Sequence, residues 1–234
     1  MITTSARAAA RSPYNPPHMK GERTRQSILE RAIDLASLEG LEGLTIGRLA
    51  DELGMSKSGL FAHFKSKEEI DVAVLAETIA RFRESVFLKA LQALRGEPRI
   101  RALLERWFDW SNDTAGQPGG CLITQATVEL DDRPGRARDL LVESQQQWLD
   151  ALARAARVAV DEGHFRSDLD TELFAFQLEG VLLVTHQAQR LLRTPDAERR
   201  FRRAIEQLLA SARVSAPIAS PRAARRSRSP VKSR

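Results

Sequence analysis

Ser56-Lys57-Ser58-Gly59 is a run of small residues with one long cation, set directly behind Gly54-Met55. At the front of a short helix, a tip this slim can enter the major groove of DNA. The other residue types that could do chemistry are thinly spread. The four histidines, His18, His63, His164 and His186, fall in an N-terminal arm, beside the basic tip and in two distant helices. His164 with Asp168 and Asp170 has metal-compatible spacing, but Gly163 marks that stretch as a helix-terminal loop, where an acid is expected to cap a helix rather than bind a metal. Cys121 is the one cysteine, so neither an intramolecular disulfide nor a multi-cysteine zinc site can form. Following Gly119-Gly120 near a helix start, its thiol could have a lowered pKa and sense oxidants. A lone cysteine is more often a small buried hydrophobe. No metal or cofactor is expected.

The elements around the basic tip follow from periodicity. Ile46, Leu49, Ala50, Leu53, Leu60, Phe61 and Phe64 recur at helical spacing and can form one small core across two short helices with a tight turn at Gly54. Phe61 and Phe64 read as core rather than as base-stacking residues. Thr45 is the expected N-cap of the first short helix and Ser56 of the second. Ser66-Lys67-Glu68-Glu69 has the S-x-x-E form of a capping box and opens a further helix. Upstream, a helix is expected over Glu22–Glu39, stopped by Gly40.

Downstream, Ile70, Val74, Leu75, Ile79, Phe82, Val86, Phe87, Leu91 and Leu94 predict one long helix to about Arg95. Further helices are expected over Pro98–Trp110, Cys121–Leu130, Arg138–Glu162, Thr171–Leu192 and Pro195–Ala212, the last capped by Thr194. The fold class is therefore all-α, about nine helices: a three-helix head over residues 21–66 and a larger helical domain over 67–213. Basic segments at 1–20 and 214–234 lack an apolar period and are expected to be disordered.

Charge alone says little about partners. The 234 residues carry a net charge of +5, but residues 1–20 contribute +3 and residues 214–234 contribute +6, leaving the body acidic. The head, residues 21–67, holds seven basic and seven acidic groups. The basic balance thus comes from the tails and is weak support for nucleic-acid binding. No apolar stretch has the length of a membrane span, and a cytoplasmic protein is the expectation.

The pattern T-I-x-x-L-A-x-x-L-G-M-S followed by L-F-x-H-F-x-S-K-E-E-I resembles the TetR family of transcriptional regulators, specifically over residues 23–70 and by helix order to about residue 213. The resemblance implies a helix-turn-helix head that binds double-stranded DNA. Thr45 and Arg48 would stand near a phosphate, Ser56, Lys57, Ser58 and Gly59 would face the bases, and Lys57 could address guanine O6 and N7. His63 and Lys67 would contact the backbone, Lys67 with help from the helix N-terminus, and Phe61 would stand at a DNA-binding position without the hydroxyl that reaches a phosphate. The chain departs from the pattern at Phe61, where the family usually has Tyr, and in the Ser58-Gly59 order.

The resemblance also implies a homodimer on a near-palindromic operator, with the last two helices as the interface. Phe174, Leu178, Val181, Leu182, Phe201, Ile205 and Leu208 are the expected interface residues. A pocket in the second domain would bind a small apolar or aromatic effector, its walls drawn from Phe82, Phe87, Leu103, Trp107, Trp110, Cys121, Leu122, Gln125, Trp148 and Leu152. Repression lifted by that effector is the expected function. A transcriptional activator of the same architecture, or a nonspecific architectural nucleic-acid-binding protein using the basic tails, is the alternative. An enzyme is not expected, since no convergent nucleophile, base or metal set is in view.

Overall fold

The computed structural model describes residues 17–113 and 116–214, and for residues 17–20 the backbone alone. Expectations for the arm and tail therefore lie outside the described residues, except that the backbone of Pro17 to Lys20 already belongs to the first helix. Helix α1 spans Pro17–Gly43, α2 Ile46–Leu53 and α3 Lys57–Phe61. The body follows as α4 (Lys67–Phe82), a π-helical segment (Arg83–Leu88), α5 (Glu97–Ser111), α6 (Leu122–Glu129), α7 (Arg136–Asp161), α8 (Thr171–Arg190) and α9 (Ala197–Ala212). No strand occurs among the described residues. None of their helices is long and apolar enough to cross a membrane.

Local signals set the head. Thr45 accepts a bond from the Arg48 amide at 3.1 Å, and Ser56 accepts one from Gly59 at 3.1 Å. Gly54 ends α2 in the left-handed region (φ 60°), which a Cβ would strain. Ser66 caps α4 through the Glu69 amide at 3.1 Å. The Glu69 carboxylate reaches back one residue further than a capping box requires, to the Lys65 amide at 2.9 Å. Leu49, Ala50, Leu60 and Phe64 are buried with Ile28, Leu29, Ala32 and Ile33 of α1. Phe61 is not core: it stands 44% exposed on the far side of α3, a correction to the spacing argument. A helix of five residues has one inward face, and Leu60 occupies it.

Two further expectations change. Gly40 does interrupt α1, with φ 77° and ψ 171°, but the chain resumes a helical turn through Gly43. The long helix expected to run to Arg95 ends near Ala90, after its α-geometry widens into the π-helical segment. Leu91 and Leu94 continue the apolar period in sequence yet are exposed, Leu94 by 79%. Asp170 caps α8 through the Leu173 amide at 2.9 Å, as expected of an acid in that loop. Thr194 does not cap α9. Asp196 holds that position without a side-chain cap, and backbone bonds from Thr194 to Ala188 and from Ala197 to Thr194 close the turn.

In the body, α7 packs on α8, α4 and α5, and α8 packs on α9. Helix α6 touches α1, α4 and α7 at once. Its approach to α1 is unusually close: a Cβ on Gly119 would fall 1.5 Å from the Ser37 carbonyl oxygen. There the Gly119 amide donates to the Ser37 hydroxyl at 3.1 Å, and the Gln125 amide nitrogen donates to the Ser37 and Gly119 carbonyls at 2.9 Å each.

Candidate DNA-binding head and effector cavity

The head presents Thr45, Arg48, Ser56, Lys57, Ser58 and Phe61 to solvent, with Gly59 and His63 half-buried. Ser56 and Ser58 hydroxyls lie 3.0 Å apart at the tip of α3. Lys57 is the one long cation there. The remaining basic groups are more constrained. Arg48 pairs with Glu39 at 3.3 Å and Glu52 at 3.2 Å. Lys67 is turned inward: its ammonium donates to the Leu41 carbonyl at 2.8 Å and to Asp71. Its position at the start of α4 is as expected, but its side chain ties α4 to the end of α1 instead of reaching outward, a correction to the phosphate role.

A cavity of about 380 Å³ opens in the body between α4 with its π-helical extension, α5, α6, α7 and α8. Five expected residues line it: Phe82, Phe87, Trp107, Cys121 and Trp148. Phe82 and Phe87 pack edge-to-face with each other at 5.9 Å and with Trp148 at 5.4 and 5.2 Å. The π-helical turn explains that pairing, because residues five apart on an α-helix stand about 140° apart and could not share a wall.

Five expected wall residues lie elsewhere. Leu122 and Leu152 are buried behind the wall. Gln125 is spent on the Ser37 junction. Leu103 lines a neighbouring cavity of about 210 Å³ that shares Phe87, Leu91 and Arg154 with the first. Trp110 packs on Phe82 at 5.7 Å but faces a third space of about 220 Å³, beside Ile33 of α1, Thr78 of α4 and Gln117.

The polar part of the main cavity was missed: Arg83, Thr124, Ser144, Gln145, Gln147, Arg154 and Glu179. Glu179 accepts a bond from the Trp148 indole N–H at 2.7 Å. Burial pushes its carboxyl above the ordinary carboxylate range, against the opposing pull of that indole. The signal was present in the sequence, as the lone acid within Phe174–Val184.

On α8 and α9 the structure divides the expected interface residues. Phe174, Leu178, Leu182, Phe201 and Ile205 are enclosed within the protomer, which corrects their assignment to an interface. Val181 and Leu208 line an open groove with Gly180, Val184, Ala204 and Ser211. The exposed apolar residues on α8 are Leu173, Phe176, Leu183 and Val184, Phe176 by 71%.

Among the described residues no three His, Cys, Asp or Glu side chains converge to hold a metal. His164 accepts from the Glu97 amide at 3.2 Å. Cys121 is buried in the cavity wall at the start of α6.

Comparison with known proteins accords with this division. Residues 28–74 match the family model of bacterial regulatory proteins of the tetR family, and residues 96–205 match that of the tetracyclin repressor-like C-terminal domain. The HTH-type transcriptional repressor AcnR of Corynebacterium diphtheriae is 40% identical over 159 residues, 68% of this chain and 76% of that one. Among solved structures, a TetR transcriptional regulator from Chloroflexus aurantiacus superposes with a TM-score of 0.74 at 21% identity, over 84% of this chain and 99% of its own. AibR, in complex with isovaleryl coenzyme A and operator DNA, superposes with a TM-score of 0.64 at 20% identity, over 80% and 97%.

Proposed function

The chain belongs to the TetR family of transcriptional regulators, a DNA-binding repressor by its relatives, and on that premise we propose that it acts as a homodimer released from a near-palindromic operator by a small effector in the body cavity. The observation that carries this reading is the double attachment of α6. At its start, Cys121, Ile123 and Thr124 stand in the cavity wall. At its end, the Glu129 carboxylate accepts the Leu41 amide at 2.8 Å and the Glu42 amide. Leu41 in turn offers its carbonyl to Lys67, at the start of α4. A rigid helix of eight residues thus joins the cavity to the base of the DNA-binding head.

Filling the cavity displaces α6 or α4 by an amount set by the effector's shape, and the head follows through Glu129 and Lys67. Two heads must match successive major grooves, about 34–36 Å apart, so a small rotation of each is enough to break the match. The exposed face of α8, with the groove beside α9, supports dimerisation there. Effector and DNA prefer different poses, so each must weaken the other's binding by the same factor.

Fluorescence anisotropy of a labelled operator, titrated with and without effector, tests this. The expected result is a reciprocal loss of affinity. Effector binding that leaves operator affinity unchanged would refute the coupling.

A further inference from the structure

Glu179 is the one acidic group in the main cavity, and its setting bears on what the cavity takes. It is half-buried at the edge of the inner face of α8, beside the fully buried Leu178 and Leu182. Its carboxylate has one hydrogen-bond donor, the Trp148 indole, and no ion-pair partner among the described residues. An ionised carboxylate can accept about four bonds, so most of its capacity is unused. The rings of Phe82, Phe87, Trp107 and Trp148 line the same cavity. The two arginines of the wall, Arg83 and Arg154, are both exposed, and Arg154 lies 3.8 Å from Asp150.

We propose that the effector is an organic cation, an apolar or aromatic amine or quaternary ammonium, whose charge is met by the Glu179 carboxylate and the aromatic wall. A half-buried carboxylate without a cationic partner loses part of its hydration with nothing to replace it, and a ligand cation offsets that loss on binding. Aromatic faces add to the attraction most strongly where water is excluded. An anionic ligand would bring a second negative charge towards Glu179 and find its only cations at the exposed rim, where solvent screens them. A neutral ligand would leave the carboxylate as unpaired as before.

Proton linkage follows. Binding a cation favours ionised Glu179, so a carboxyl held partly protonated by burial releases its proton as the ligand enters. Affinity for the cation therefore rises with pH through the carboxyl's raised pKa and levels off above it. The other charged or titratable groups facing this space are Arg83 from the π-helical segment, Arg154 from α7 and Cys121 before α6.

The inference rests on the regulator reading and specifies its effector. The test uses three probes of similar bulk: benzyltrimethylammonium, its neutral isostere neopentylbenzene, and octanoate. All three tryptophans, Trp107, Trp110 and Trp148, lie in or beside the cavity, so intrinsic fluorescence reports binding directly. The full chain is expected to bind the cation at least about tenfold more tightly than the isostere. Glu179→Gln, which keeps an acceptor for the Trp148 indole, should bring the two within about twofold and abolish the pH dependence. If that variant does not fold, the comparison of probes on the wild type still decides. Equal binding of cation and isostere, tighter binding of octanoate, or no binding of any probe would overturn the assignment. Operator protection by the ligand-free protein is measured on the same preparation. Failure of the probes with the operator protected removes the effector class alone, whereas absence of protection removes the regulator reading itself.

Discussion

Replacing Gly119 with Ala tests how the DNA-binding head is fastened to the body. The added Cβ would lie 1.5 Å from the Ser37 carbonyl oxygen, and that neighbour is backbone. Ordinary C···O contact is about 3.3 Å, so α1 and the loop before α6 must part by roughly 2 Å. No side-chain rotation can absorb that shift. Separation weakens the two bonds that cross this junction, Gly119 amide to Ser37 hydroxyl at 3.1 Å and Gln125 amide nitrogen to Ser37 carbonyl at 2.9 Å. Hydrogen bonds of this kind contribute about 1 kcal/mol each, and overpacking adds about 1–3 kcal/mol. The expected loss is about 3–5 kcal/mol, or a melting midpoint lower by on the order of 10 °C for a chain of this size. Equilibrium urea unfolding followed by circular dichroism measures it. Gly21→Ala is the matched control: it is helical, has no atom within 4 Å of a new Cβ, and should be neutral or stabilise by up to about 1 kcal/mol. A Gly119→Ala protein within about 1 kcal/mol of the wild type would show that the two segments do not approach this closely.

Other perturbations separate recognition, coupling and stability. Lys57→Ala should weaken operator binding by roughly 1–3 kcal/mol in anisotropy titrations and relax preference at one base pair; unchanged discrimination would remove Lys57 from base readout. Glu129→Ala leaves the Leu41 and Glu42 amides without their acceptor. Effector affinity should persist while the reciprocal effect on DNA shrinks, and unaltered coupling would exclude α6 as the link. The Arg213 guanidinium, first, and then Arg101 hold the Glu97 carboxyl below its ordinary range, against a cost of burial. A depressed carboxyl pKa stabilises the fold above the unfolded value, and the contribution is lost as pH falls through the folded one. Arg213→Ala should therefore flatten the acid branch of urea midpoint against pH, and an identical branch would refute the assignment. Deleting residues 215–234, with six basic and no acidic groups, should lower DNA affinity and its salt dependence while site preference survives.

What the sequence made legible was local. Thr45, Ser56, Ser66 and Asp170 act on amides three residues away, so their roles could be read without knowing the fold. The aromatic residues of the cavity were legible as a set because few apolar rings exist in the chain. The errors came where a distant partner decides. Lys67 is claimed by the Leu41 carbonyl, 26 positions away, and Gln125 by Ser37, 88 positions away. On α8 the apolar residues encircle the helix, and periodicity cannot say which face the protomer covers for itself; Phe174 went inward and Phe176 outward. The end of α4 was lost because Leu91 and Leu94 continue a period that the packing no longer uses. Glu179 was passed over because a lone acid in an apolar helix segment reads as surface until its neighbours are known.

The π-helical segment at Arg83–Leu88 has a consequence for how this chain can tolerate changes in length. Such a turn is an α-helix carrying more residues than its pitch needs, so removing one residue leaves a continuous helix instead of a gap. Everything before the deletion, including the head and its caps, keeps its place. The rings after it keep their face too, because Phe82 and Phe87 would then stand four apart on an α-helix, about 40° from one another. A single lost codon between Phe82 and Phe87 would therefore leave both the fold and the aromatic wall in register. The reverse insertion, in a relative with an unbroken α4, would be absorbed as a turn of this kind without changing which residues face the cavity.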